Sequence, residues 1–478
     1  MSSDIKEIRY ELQRRKPMAL EILVPISTEV IEENPNCIID GKYKDGALVI
    51  NIDARKQNHH QQLGLPQTTK IHWGKEYTVP VQELSGLSWP IRYEVTTGEG
   101  WYLDKKGNRH FFTPNVKGLN LYKRVSDVVM RAGVFLSIIA GVGCRRAAWL
   151  LEVLFHVIVS KSTVDRWIDD IANILPRAEA MIQEMNSRQP ITEGHLDELF
   201  PRGRSGSSKG KCELVLRDEH GRIIVAEEIA KRDEEHVKPF LMRMKALGLV
   251  IKTFYIDHWK AYENAIVEVY PDASIQHDYF HIIQNVWRKV WSYFIIHRRS
   301  VKSSSEKVTT SLDQARLESL AKTLWEKRHL LFKSDERMSQ EEKEDLMEIM
   351  EADSKVCKMR IFLMSVWSLF RDSKNEEEAY EALAELKKIK IEPKAEKALK
   401  SVYSFLEENF DRMITYLKVP GVKRNSLSES GMRMLRRLEV EHDGFRTPKG
   451  RQNCIKIYQA VKYLGWSVHN PPPLIHVS

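Results

Sequence analysis

A chain of 478 residues is too long for one hydrophobic core and points to about three domains, while a hydrophobic share of 42% is that of an ordinary soluble protein. Lys and Arg total 74 against 66 Asp and Glu, a net charge of +8 that favours an anionic partner without identifying it. The cysteines (Cys37, Cys144, Cys212, Cys357 and Cys454) are odd in number and never spaced C-x-x-C, which argues against a disulfide framework and a zinc ribbon and fits a reducing cytoplasm. No apolar run reaches transmembrane length, and MSSDIKEIRYELQRRK lacks the apolar stretch of a signal peptide, so a cytoplasmic protein without a membrane partner is expected.

Residues 1–105 read as a small β-rich module, with strand-forming runs at Leu20 to Ile26, Ala47 to Ile52, Ile71 to Val81 and Ile91 to Tyr102 and turns at Asp45-Gly46 and Lys106-Gly107. His59, His60 and His72 have no acidic or cysteine partners at ligand spacing and are read as surface histidines. Residues 106–185 turn helical, with short helices at Val134 to Ala140, Arg145 to Phe155 and Ser160 to Ile168; the last is opened by a hydroxyl cap and has Val164, Trp167 and Ile168 on one face. Read as a helix-turn-helix, this segment sets Lys161, Ser162, Thr163 and Arg166 against a duplex; a plain three-helix packing unit is the alternative.

Residues 186–300 alternate strand and helix. Ile191 to Leu199 is a strand carrying Asp197, Cys212 to Leu216 and Ile223 to Val225 form a hairpin about Asp218-Glu219-His220-Gly221, and Glu234 to Leu247 is an amphipathic helix. Ile251 to Ile256 is a buried strand ending on Asp257. Trp259, Tyr262, Ile266, Val269 and Tyr270 then recur at helical spacing until Pro271-Asp272, and Ala273 to His277 is a strand ending on Asp278, one helical turn before His281. Strand, helix, strand implies a parallel pair, which puts Asp257 and Asp278 at one C-terminal sheet edge, where open α/β sheets place their chemistry. The full order of strands and helices, with acids ending the first and fourth strands, is that of the RNase H fold.

Residues 301–416, mixed in charge and nearly free of Gly and Pro, read as an all-α insertion with a solvated charged face. Residues 417–478 return to a basic composition and finish the core, with an extended tail at Asn470-Pro471-Pro472-Pro473. The expected architecture is thus an α/β RNase H-like core with an all-α insertion, preceded by a helical helix-turn-helix module and a small β-rich N-terminal module.

Phosphoryl transfer on DNA by two divalent metals needs about three carboxylates, because hard cations prefer oxygen ligands and must sit about 4 Å apart. Asp197 and Asp257 supply two, although either could instead be a strand-end aspartate capping a helix. His195-Leu196-Asp197-Glu198, Tyr255 to Tyr262, Tyr270-Pro271-Asp272-Ala273 and Asp278-Tyr279-Phe280-His281 resemble the DDE transposases of bacterial insertion sequences. The likeness covers about residues 130 to 460 and is to the group, akin to mutator-type elements, with a D-x-F-H signature after the second aspartate and a helical insertion before the final glutamate.

That resemblance implies Asp197 and Asp257 as the first two metal ligands, with Asp278 and His281 supporting the site. It implies Glu429 as the third acid, because Asn425 to Met432 and the following His442-Asp443-Gly444-Phe445-Arg446 are similar to the family's glutamate helix and Gly-Phe-Arg turn. Relatives usually place an Asn near this glutamate, where the present chain has Ser430, Gly431 and Met432, so Glu439 and Glu441 stay rivals. The N-terminal zinc ribbon of relatives is missing. Mg2+ is the implied cofactor, with Mn2+ a substitute. No nucleotide cofactor is expected, since the Gly203 to Gly210 loop lacks the order of a phosphate-binding loop.

Basic residues follow each acid: Arg202, Arg204, Lys209 and Lys211; Arg288, Lys289, Arg298 and Arg299; Arg433, Arg436 and Arg437. Such groups would hold DNA phosphates. Trp287 and Trp291, one turn apart, are read as core. The implied function is metal-dependent strand cleavage and strand transfer on double-stranded DNA, both terminal inverted repeats and target, by a homo-oligomer, a dimer on DNA, in a prokaryotic nucleoid. The alternatives are a catalytically inactive DNA-binding descendant and a structure-specific RNase H-fold nuclease.

Overall fold

The structure, a computed structural model, describes residues 30, 33–84, 90–114, 116–200, 212–389, 393–424, 428–441 and 447–468, with only the backbone described at 393–399, 428–431 and 441. The expected strand at Leu20 to Ile26, the basic positions Arg202, Arg204, Lys209 and Lys211, the segment 442–446 and the proline tail lie outside the described residues. The chain divides into two units, one of residues 1–185, 201–207 and 433–478, the other of residues 186–200 and 208–432.

The first unit is built on a mixed sheet. Its strands are β1 (Ile38–Lys44), β2 (Ala47–Asp53), β3 (His72–Glu83), β4 (Ile91–Leu103), β5 (Arg109–Phe112), β6 (Leu119–Asn120) and β7 (Val125–Ser126), in the order β1-β2-β4-β3-β7-β6 with β5 on β4. Asp45 and Gly46, at φ 50° and 77°, make the turn between β1 and β2; a two-residue turn with positive φ at both positions matches strand twist. A core of Ile50, Ile52, Val81, Tyr93 and Val95 lies beneath. The short helix α1 (His59–Leu63) brings a correction: His59 is buried, not a surface residue. Its ring packs 5.2 Å from Trp73 and 5.4 Å from Phe112, so aromatic partners on β3 and β5 take it in.

Four helices follow: α2 (Asp127–Ile138), α3 (Gly143–Phe155), α4 (Lys161–Ile174) and α5 (Ala178–Arg188). The first begins earlier than the apolar run at Val134 implies, because the Ser126 hydroxyl accepts the Val129 N–H at 3.2 Å and caps it. In the same way the Ser160 hydroxyl accepts the Thr163 N–H at 3.1 Å and opens α4. Val164, Trp167, Ile168 and Ile171 bury their side chains. A Cβ at Gly133 would lie 2.9 Å from the Trp167 ring, so only glycine lets α2 approach α4 this closely.

The second unit holds β8 (Glu193–Leu199), β9 (Cys212–Arg217), β10 (Ile223–Ile229), α6 (Glu234–Ala246), β11 (Thr253–Ile256), α7 (Lys260–Val269), β12 (Ser274–His277) and α8 (Tyr279–Ser305). The sheet order is β10-β9-β8-β11-β12. β10, β9 and β8 are antiparallel neighbours, and β11 lies between β8 and β12, parallel to both. Every residue of β9 and β11 is buried, as expected of strands covered on both faces.

The helical segment continues from α8 through α9 (Ser311–Glu326), α10 (Gln340–Ala352), α11 (Ser354–Asp372), α12 (Glu376–Lys387), α13 (Pro393–Met413) and α14 (Thr415–Lys418). Its core joins Val286, Val290 and Phe294 of α8 to Met359, Phe362, Val366 and Phe370 of α11 and Leu406 and Phe410 of α13; Trp287 and Trp291 pack against it, as core residues should. The segment returns to the sheet at its edge. There the Thr415 hydroxyl donates to the Ile275 carbonyl at 2.6 Å, the Tyr416 N–H donates to the Gln276 side chain at 2.9 Å, and the Gln276 amide donates to the Met413 carbonyl at 2.9 Å.

Two helices close the described chain, α15 (Ser428–Glu441) and α16 (Pro448–Leu464), the second with Thr447 as its cap and proline in its first turn. Leu438, Cys454, Ile457 and Ala460 join the core of the first unit with Trp167. Among the described residues no helix is long and apolar enough to cross a membrane.

Candidate active site at the edge of the second sheet

Two carboxylates lie side by side where the parallel pairing of β8 and β11 stops, Asp197 within β8 and Asp257 just past β11. The parallel register sets Ile256 beside Leu196, so one residue further Asp257 lies beside Asp197. β12 extends the arrangement, with Ile256 beside His277, and Asp278 follows as the cap of α8, its carboxylate accepting the Phe280 N–H at 2.9 Å. Asp278 is buried, whereas His281 is half-buried in the first turn of α8.

Each carboxylate has an arginine. Arg217 of β9, itself 1% exposed, lies 3.7 Å from Asp197, whose other oxygen accepts the Glu198 N–H at 2.8 Å. Arg232, on the connection from β10 to α6, pairs with Asp257 and donates to Glu198 at 2.8 Å. The remaining oxygen of Asp257 accepts the Trp259 N–H at 3.1 Å. The Tyr262 hydroxyl donates to Glu198 at 2.8 Å, and the Arg232 guanidinium lies 4.5 Å above the Trp259 ring and 5.2 Å from that of Tyr262.

This is an electrostatically loaded place. Burial pushes the Asp197 carboxyl above its usual range, against the pull of Arg217 and His281, and Asp257 adds repulsion. Burial, then the charge of Asp257, lifts Glu198 to about 7 although Arg232 opposes both. Both upward shifts come first from burial, which disfavours the charged form, and the arginines only partly offset it. Carboxylate oxygens are the donors that a hard divalent cation takes, so Asp197 and Asp257, set side by side by the register, fit such an ion.

Two buried histidines lie alongside. His277, fully buried, bonds Glu263 at 3.1 Å, and Glu263 in turn pairs with Arg412 and, at 3.2 Å, with Lys260. Burial holds His277 down at about 4, against the charge of Asp257. His195 stacks 4.4 Å from Tyr255 and is held down at about 3 by burial and by Arg217 and Lys423.

The residue expected to be the third acid lies on α15. Glu429 is in its first turn, but its side chain lies outside the described residues, as does that of Glu441. Glu439 is buried and pairs with Arg436 at 3.3 Å. Among the basic positions, Lys161, Ser162 and Arg166 are exposed and Thr163 is half-buried at the start of α4. Arg288, Arg299 and Arg433 are exposed. Lys289 donates to the Ser401 carbonyl at 2.6 Å, Arg298 to the Ala321 carbonyl at 3.3 Å while lying over Trp325, and Arg437 to the Ile139 carbonyl at 3.0 Å.

Glu198, Arg217, Arg232 and Tyr262 had no site role from sequence. Adjacency to Asp197 was a signal for Glu198; Arg232 becomes distinctive only through the residues that folding brings to it. Among the described residues the one group of three such side chains with ligand atoms all within 4.8 Å of one another is elsewhere, at Asp233, Glu235 and His236. It is the start of α6, where the Asp233 carboxylate accepts the His236 N–H at 3.2 Å and pairs with its ring, which is helix capping.

A family model described as Transposase, that of the ISL3-type DDE transposases, matches residues 197–452. No curated protein sequence matches. Among solved structures the chain is similar to the Drosophila P element transposase strand transfer complex, at 12% identity and a TM-score of 0.32, over 77% of this chain and 95% of that one.

Proposed function

The chain belongs to the ISL3-type DDE transposase family, and from that premise we propose that it binds the terminal inverted repeats of an insertion sequence and carries out divalent-metal-dependent strand cleavage and strand transfer. The observation that carries this reading is the register that lays Asp257 beside Asp197 at the exit of two parallel strands. Three antiparallel strands continued by a parallel pair, with acids at the first and fourth strand ends, support an RNase H-like core into which residues 301–416 are inserted.

Asp197 and Asp257 hold the ions, Mg2+ with Mn2+ as a substitute, and Glu429 is the third ligand. Bound there, the ions would activate a water, or the 3′-hydroxyl of the DNA end, for in-line attack on a phosphodiester. The chain's own residues prepare the place: Arg217 and Trp259 orient the two aspartates, Asp278 fixes the start of α8, and the His281 imidazole lies close enough to act electrostatically on Asp197. The partner is double-stranded DNA, bound as a homodimer in the nucleoid. Lys161, Ser162, Thr163 and Arg166 read the terminal repeat from α4 as the second helix of a helix-turn-helix, and Arg202, Arg204, Lys209, Arg288, Arg298, Arg299, Arg433, Arg436 and Arg437 contribute phosphate contacts.

A strand-transfer assay with the element's own ends tests the proposal. Asp257→Asn should bind the terminal repeat as the parent does and neither cleave nor join, because an amide is a poor ligand for a hard cation; strand transfer by that variant would overturn it. Cleavage without joining by the parent would make the protein a nuclease instead. Glu429→Gln should be as inactive as Asp257→Asn. Glu439→Gln should keep activity, since Glu439 is about ten residues, or roughly 15 Å, further along the helix and is spent on Arg436.

A further inference from the structure

Arg232 occupies an unusual position for a surface-connection residue. Its guanidinium bridges the carboxylates of Glu198 and Asp257 and lies on two aromatic rings, while its own carbonyl accepts the Trp259 indole N–H at 2.8 Å. Trp259 and Tyr262 belong to the start of α7, the helix that follows Asp257 directly, so the same short segment supplies the carboxylate and the platform for its arginine. The two oxygens of Asp257 are also unequal. One accepts the Trp259 N–H, and the other faces Arg232.

We infer that Arg232 is a built-in counter-cation which competes with the divalent ion for Asp257, so that the affinity of the site for its metal is set by how readily this guanidinium gives way. The inference rests on the reading of Asp257 as a metal ligand. An incoming ion meets Arg232 at one Asp257 oxygen and a backbone N–H at the other, and of the two only the guanidinium is a cation that competes with it for the charge of the carboxylate. The guanidinium need not enter water when it yields. Glu198, at 2.8 Å, and the two rings remain as its partners, and a cation over an aromatic face keeps much of its stabilisation when partly desolvated. Tyr262, which donates to Glu198, keeps that second carboxylate in place for it. Arg232 is therefore a positioning residue that keeps two half-buried acids from repelling each other until an ion takes over part of that task.

The test is Mn2+ binding to the full-length protein, followed by electron paramagnetic resonance, together with the rise in melting temperature on adding Mg2+. Removing a positive charge a few ångströms from a divalent ion should tighten binding, so Arg232→Gln should take up Mn2+ roughly tenfold more tightly than the parent. Its melting temperature should be lower without the ion and should rise further with it. Arg232→Lys, which keeps the charge, should stay within about threefold of the parent. Equal or weaker Mn2+ affinity in Arg232→Gln overturns the inference, as does a Lys variant as tight as the Gln variant. An Arg232→Gln chain that stays unfolded even at saturating Mn2+ also overturns it, because an ion would then be unable to replace the guanidinium. Asp257→Asn is the control: if it binds Mn2+ as the parent does, the metal reading of the site fails, whereas loss in that variant beside an unchanged Arg232→Gln refutes the competition alone.

Discussion

In the first sheet β4 alternates buried and half-buried residues over most of its length, whereas in the second every residue of β9 and β11 is buried. The first sheet therefore has a face on which charge and polarity cost little. The second carries buried charge within its strands, as Arg217 shows by lying 3.7 Å from Asp197, and gathers Asp197, Glu198 and Asp257 where the parallel pairing of β8 and β11 stops. One sheet accommodates polarity across a surface, and the other concentrates it at an edge. Concentrated, partly desolvated carboxylates are what the proposed reaction needs, so the difference in coverage separates a scaffold from a candidate site.

The contrast can be broken at several points. The largest effect should come from the edge itself: Asp197→Asn should reduce strand cleavage to background with binding of the terminal repeat retained, as measured by gel-shift and cleavage assays in parallel. Next is the covered interior. Phe254→Ala, at a fully buried position of β11, should cost about 3–5 kcal/mol of stability in urea unfolding.

A smaller effect should appear with pH. His277 titrates near 4 in the fold against 6.5 ordinarily, so the folded state favours the neutral ring. Its contribution is complete above about pH 6.5 and is lost as the pH falls toward 4, amounting to up to about 3 kcal/mol. Unfolding midpoints at pH 7 and pH 4 should therefore converge in His277→Asn relative to the parent; an unchanged gap would show that the buried imidazole does not control it. The smallest effect belongs to the first sheet, where Tyr77→Ala on β3, exposed in the fold, should change stability by no more than about 0.5 kcal/mol. A large loss there would mean that this face is covered and would remove the distinction between the sheets.

The same contrast explains which features could be read from sequence. β9, β10 and β11 are rich in apolar and β-branched residues and bounded by turns or an acid, so they and the position of Asp257 followed from local pattern, whereas β8 (EGHLDEL) and β12 (SIQH) carry weaker signals. β1 did not follow from it, because IIDGKYK mixes Asp, Gly and Lys into a strand whose outer residues are solvated. In the candidate site the aspartates stand out in the sequence and the arginines do not. Nothing local separates Arg232 from the chain's other basic residues, since its partners Glu198, Asp257, Trp259 and Tyr262 come from other elements and meet it only in the fold. His59 was misread for a related reason: the aromatic residues that bury it belong to β3 and β5.

The hydrogen bonds from Thr415 and Tyr416 to β12 also bear on how the chain is made. β12 is an edge strand, and an edge strand with unpaired backbone groups can recruit another chain. The residues that cover it are separated from it by 140 positions of sequence. During synthesis the five strands can associate while the helices beyond α8 are still being added, and until residues 413–416 arrive the edge lacks this covering. Truncation within the helical segment should then give a protein prone to self-association through β12, so intolerance of premature termination is a cost of placing so long an insertion before the part of the chain that closes the sheet.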